Sequence, residues 1–274
     1  MGGFTCTPDL DCSQNLVTLK SMEIYNPKTN VWKNGPSLKV ARSGLAAVTG
    51  PDGTIYAIGG GILDVVGEDF GAVYGTLEAY SPTTNRWTTL APMPTPRFGL
   101  SAVVGTDGRI YAIGGENAAG TELRTVEAYT PSSNTWTTEA PMPSGYAFGA
   151  GIRDRQGHID YVGLKTYQYS ISTNTWTTLA PSPNVVAGVG GARGPDGRLY
   201  VVGGMNTYGM ETNAAEAYNP TSNTWSSIAS MPEAAFAIAA ARGTDGRIYV
   251  IDGGANYGES CCAVPLSIVQ VLTV

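Results

Sequence analysis

Five tryptophans, Trp32, Trp87, Trp136, Trp176 and Trp225, each stand seven residues after a tyrosine: Tyr25, Tyr80, Tyr129, Tyr169 and Tyr218. The segments leading to them are near copies. "VEAYTPSSNTW" ends at Trp136 and "AEAYNPTSNTW" at Trp225. Successive tryptophans are 40 to 55 residues apart. A repeat of this length is one supersecondary unit that cannot bury its apolar surface alone, so its neighbours must stack on it.

Each copy punctuates itself the same way. A Gly pair closes an apolar run in "IYAIGG" to Gly60, "IYAIGG" to Gly115, "LYVVGG" to Gly204 and "IYVIDGG" to Gly254. The third copy departs from this, reading "IDYVGL" with Gly163 alone. A turn precedes each run: "PDG" at 51, "TDG" at 106, "RQG" at 155, "PDG" at 195 and "TDG" at 244. Asp-Gly between alternating apolar residues is a strong hairpin signal. The unit therefore reads as four short strands: a small-residue strand, the strand before the Gly pair, the strand ending in Tyr, and the strand around Trp. Such a chain is all-β, and 36 glycines against 14% charged residues agree with short strands and tight turns.

The Gly pair followed by Tyr and, seven residues later, Trp resembles the Kelch repeat, in five copies over nearly the whole chain. The resemblance implies a Kelch-type β-propeller of four-stranded blades, five of them, with six as the alternative. It implies one domain over 1–274. "MGG" at the start reads as the end of a second strand. The segment "LSIVQVLTV" at the end reads as a third strand. The ring is therefore expected to close through a composite blade, with 1–33 supplying outer strands and 235–274 inner ones. The duplicate C-terminal strand is then left to add an edge or to pair with another molecule.

The four cysteines, Cys6, Cys12, Cys261 and Cys262, lie at the two ends. Their spacing is poor for zinc. Disulfides between the ends would lock the closing blade, contributing roughly 3–5 kcal/mol, and would place the chain in an oxidising compartment, secreted or extracytoplasmic. No leader is visible in "MGGFTCTPDL". The net charge of −6 disfavours nucleic acid. No apolar run of ~18 residues points to a membrane span.

Function is expected in the loops after the Gly pairs, which vary while the turns do not. At the entry to the first strand the aligned series is Arg42, Arg97, Tyr146, Val186 and Ala235. Arg42, Arg97 and Tyr146 are candidates for an anion-binding crescent, because guanidinium groups grip carboxylate or phosphate in a fork; the competing reading ties both arginines to loop acids such as Glu116. After the Gly pairs stand Glu116 and Asn117, Met205 and Asn206, and Asn256 and Tyr257. The asparagines suit a left-handed backbone, or the hydroxyls of a sugar. Copper chemistry of the galactose-oxidase type, which the resemblance brings to mind, needs two histidines, and His158 stands alone. No cofactor and no metal are expected. The resulting expectation is a binding module for a protein, peptide or glycan, and the alternative is a metal-free isomerase- or lyase-like enzyme on a small acidic or hydroxylated substrate.

Overall fold

The computed structural model describes residues 1–6, 16–63, 70–184, 187–251, 253–256, 263–265 and 269–273. Every regular element among them is a strand. The chain divides into two compact units, Met1–Val104 with Gly108–Thr138, and Gly105–Asp107 with Glu139–Val274.

The first unit holds two antiparallel four-stranded sheets. One runs Ala46–Thr49, Ile55–Ile58, Leu77–Ser81 and Arg86–Leu90. The next runs Ser101–Val104, Ile110–Ile113, Val126–Thr130 and Thr135–Thr138. Ile58, Leu77, Leu100, Ile110 and Tyr129 pack between them. The antiparallel strand pairs Phe4–Cys6 with Leu16–Thr18, Met22–Asn26 with Val31–Gly35, and Gly61–Leu63 with Phe70–Val73 complete the unit.

The second unit repeats the plan. Its sheets run Ala150–Arg153, Ile159–Val162, Thr166–Ser170 and Thr175–Leu179, then Gly190–Arg193, Leu199–Val202, Ala215–Asn219 and Thr224–Ser227. A fifth sheet has three strands, Ala239–Arg242, Ile248–Ile251 and Val269–Leu272.

Ile248–Ile251 pairs with Val269–Leu272, while Met22–Asn26 pairs with Val31–Gly35. The C-terminal strand is the third strand of this fifth sheet and stands at its edge. A segment some 20 residues downstream closes a far smaller loop than one more than 200 residues away, so the local partner costs less chain entropy.

The repeated letters have specific work. The Gly pair combines left-handed backbone with close approach: Gly59 has φ 66°, and a Cβ there would lie 2.5 Å from the Arg97 carbonyl oxygen. Its neighbour Gly60 donates its N–H to that same oxygen at 3.0 Å. Gly3 donates to the Arg42 carbonyl in the same way, so the opening "MGG" is built as a Gly pair.

The left-handed asparagines stand before the tryptophans, not after the Gly pairs. Asn30, Asn85, Asn134, Asn174 and Asn223 all have φ near 54°. Each accepts the hydroxyl of its Tyr, as Tyr129 Oη to Asn134 Oδ1 at 2.9 Å. Asn134 also accepts the Ala91 N–H, and Trp136 Nε1 donates to the Ala91 carbonyl, both at 2.9 Å. Asn174 with Trp176 holds Ala140 in the same two-way grip, and Asn223 with Trp225 holds Ala180. In these three repeats the motif is thus a clasp on the linker that precedes the sheet.

Candidate functional site

The predicted anion clamps are fasteners. Arg42 and Arg97 are 0% exposed. Arg42 Nη2 meets Glu78 Oε2 at 2.7 Å, and Nη1 donates to the carbonyls of Gly59 and Thr76. Arg97 Nη1 meets Glu127 Oε2 at 2.7 Å and Nη2 donates to the Ala112 carbonyl. Burial draws both guanidinium pKa values down, opposed by the paired carboxylates. A group enclosed this way has no face left for a ligand, so both are removed from the candidate site. Sequence placed them at the strand entry correctly; it did not show that their side chains turn inward to reach the third strand.

The third repeat changes both of these positions. Where Arg42 and Arg97 stand, the third repeat has Tyr146. Where Glu78 and Glu127 stand, it has Tyr167. The two rings meet at 6.1 Å. The fourth repeat keeps the carboxylate as Glu216, 0% exposed, and has Val186 at the entry position, outside the described residues. Ser182 Oγ and Asn184 Nδ2 donate to Glu216 at 2.5 and 2.6 Å instead.

Glu116 is half-buried and bridges Phe98 through its backbone at 2.8 and 3.0 Å. Burial, and then Glu122, push its carboxyl above the usual range. Asn117 Oδ1 accepts the N–H groups of Ala119 and Thr121, and Asn206 Oδ1 those of Tyr208 and Met210. These asparagines therefore shape their loops by side-chain acceptance, and neither has a positive φ. Tyr257, Cys12, Cys261 and Cys262 lie outside the described residues, and only the strand backbone is described for Asn256 and Cys6.

One candidate opens onto a cavity. Asn206 helps line a space of about 250 Å³ with Asn184, Thr212, Asn213, Ser227 and Ser230 among others, all in the second unit. Asn213 Nδ2 donates to the Met231 carbonyl at 3.1 Å, and Thr212 Oγ1 accepts the Ala214 N–H. The walls combine amides and hydroxyls with Ala214, Ala215 and Ile228, and Asn184 donates to the buried Glu216 carboxylate. The loop from Asn206 to Thr212 lifts Tyr208 and Met210 into solvent, 84% and 56% exposed. Sequence reasoning found Asn206 and missed the rest: Thr212 and Asn213 lie further along the same loop after the Gly pair, while Asn184, Ser227 and Ser230 come from linkers and the outer strand.

The Kelch motif matches residues 42–94, 97–143 and 191–232, a little more than half of the chain. The chain belongs to the Kelch-repeat family. It is similar to Kelch-like ECH-associated protein 1A of Danio rerio, 38% identical over 102 residues, which cover 37% of this chain and 16% of that protein. It is similar to Beta-scruin of Limulus polyphemus, 33% identical over 110 residues, or 40% of this chain and 11% of that one. The chain thus spans a small fraction of the length of these curated relatives. The solved structure of YjhT aligns with a TM-score of 0.75 over 100% of this chain and 94% of that one at 17% identity, a likeness of fold. The fold is the Kelch-type β-propeller with four-stranded blades, and the five inner strands found here mark five blade sheets.

Proposed function

We propose that this chain, read as one domain over 1–274, is a non-catalytic Kelch binding module that takes a polypeptide segment on its fourth repeat, at the loop from Asn206 to Asn213. The observation that carries this reading is the pairing of a polar cavity of about 250 Å³ with Tyr208 and Met210 held out beside it. Exposed aromatic and methionine side chains supply anchor area at interfaces. Asparagine and serine walls supply donors and acceptors suited to a backbone amide or a hydroxyl. A relative whose name describes it as ECH-associated is in keeping with association rather than turnover.

Selection from a displayed peptide library tests this, beside a glycan array. Peptides enriched on the wild type are expected to lose at least tenfold in affinity on Tyr208→Ala/Met210→Ala. Enrichment that survives the double variant moves the site elsewhere. Glycans that bind, with no peptide enriched, replace the polypeptide reading by a carbohydrate one. Placement in an oxidising compartment rests on the terminal cysteines. Alkylation of the purified chain before and after reduction tests it: thiols that react only after reduction support it, and four thiols reacting at once overturn it.

A further inference from the structure

The third repeat breaks the family pattern at its inner hairpin, and the Kelch motif match passes over 144–190. In the other four copies a tyrosine follows the turn: Tyr56, Tyr111, Tyr200 and Tyr249. In the later copies it lies against a glycine; a Cβ on Gly194 or Gly243 would come within 2.4 or 2.7 Å of the Tyr200 or Tyr249 ring. The third copy replaces both partners. Asp160 stands for the tyrosine and Asp154 for the glycine, because the missing ring leaves room for a side chain. His158 stands where Arg198 and Arg247 pair with turn aspartates.

The result is a buried acid cluster. Asp154 is 2% exposed and Asp160 0%. Asp154 Oδ1 accepts the His158 N–H at 2.8 Å and its Oδ2 lies 3.0 Å from His158 Nδ1. Gln168 Nε2 reaches Asp160 Oδ1 at 3.0 Å and Asp154 Oδ2 at 3.4 Å. Asp160 Oδ2 is buried with no hydrogen-bond partner. From the fourth sheet, Arg193 Nη1 donates to the Asp154 carbonyl at 2.7 Å, and the Tyr218 hydroxyl goes to Asn223. Arg153, Arg155 and Arg242 lie near enough to Arg193 to oppose its charge. No cation is therefore engaged by the Asp160 carboxylate among the described contacts. An ionised carboxylate with an unpaired buried oxygen is costly, and taking up a proton removes the cost.

We propose that the Asp154–His158–Asp160 cluster is a proton-binding latch of the third repeat, closed while Asp160 carries a proton and loosened when that proton leaves. Burial pushes the Asp160 carboxyl up to about 7, with Asp154 adding to the rise and Gln168 and His158 opposing it. The folded chain then holds a proton that the unfolded chain has released. Its contribution to stability is full below the unfolded value near 3.8 and is lost as pH rises through about 7.

The test is urea unfolding of wild type and Asp160→Asn between pH 5 and 8. The folding equilibrium constant of the wild type is expected to fall at least tenfold more across that range than that of the variant. Equal slopes overturn the latch. His158→Gln keeps the wild-type slope if Asp160 is the group responsible; a slope lost in this variant and kept in Asp160→Asn assigns it to the histidine and overturns the proposal. If Asp160→Asn does not fold, the carboxyl ¹³C shift of Asp160 in the wild type decides: a midpoint between about 6 and 8 supports the latch, and one near the ordinary value of about 4 refutes it.

Discussion

In the first two sheets a buried Arg–Glu pair joins the entry of the inner strand to the third strand. In the third sheet Tyr146 and Tyr167 occupy those places, and in the fourth Glu216 is held by Ser182 and Asn184. The strands barely differ between these repeats; the buried polar content does. The third repeat replaces both facing positions together; the fourth replaces only the arginine, and the donors Ser182 and Asn184 keep its carboxylate from being stranded. Where the arginine is absent, in the fourth repeat, the surface beside the carboxylate is an open polar cavity. The repeats with the buried Arg–Glu pair and the repeat with the polar cavity differ by the residue sent to the strand entry.

The comparison is broken most forcefully at Arg97. Arg97→Ala leaves Glu127 buried beside a void and is expected to cost about 3–5 kcal/mol, read from the urea midpoint. Replacing both partners, Arg97→Tyr with Glu127→Tyr, copies the third repeat and is expected to recover most of that loss. A double variant as unstable as the single one would show that the two positions do not act as a pair.

The clasp comes next. Asn134→Ala removes acceptors for Tyr129 and Ala91 and puts alanine at φ 54°; about 1–2 kcal/mol is expected from the lost hydrogen bonds and backbone strain. Asn134→Gly keeps the backbone and isolates the hydrogen-bond share, so it is expected to cost less. A smaller contrast separates Trp136 from Trp32. Trp136 donates to the Ala91 carbonyl, whereas Trp32 is 39% exposed. Trp136→Phe is expected to lower stability by about 1 kcal/mol and Trp32→Phe by less than half of that, both from thermal midpoints.

The fold was legible because its signals are local. Asp-Gly turns, Gly pairs and the Tyr-to-Trp spacing each dictate a hairpin within a dozen residues. The site was not, because it depends on where side chains turn after the strands are placed. Arg42 and Arg97 were found at the strand entry, yet only the third strand shows that Glu78 and Glu127 draw them inward. The signal was present in the repeats: Arg with Glu twice, then Tyr146 with Tyr167. Asn184, Asn213, Ser227 and Ser230 carry no motif, and only folding brings the linker and the outer strand to one cavity.

The smallest effect on stability accompanies the largest expected on binding. Tyr208→Ala removes a side chain 84% exposed, so the midpoint is expected to stay within about 0.5 kcal/mol while affinity for a selected peptide falls. The central claim, that the fourth repeat binds while the Arg–Glu pairs only hold the fold, is tested most directly by hydrogen–deuterium exchange with and without that peptide. Protection confined to residues 205–213 and the adjoining 182–184 and 227–231 is the expected result. Protection centred on the loops after Gly60 or Gly115, with 205–213 unchanged, would contradict it.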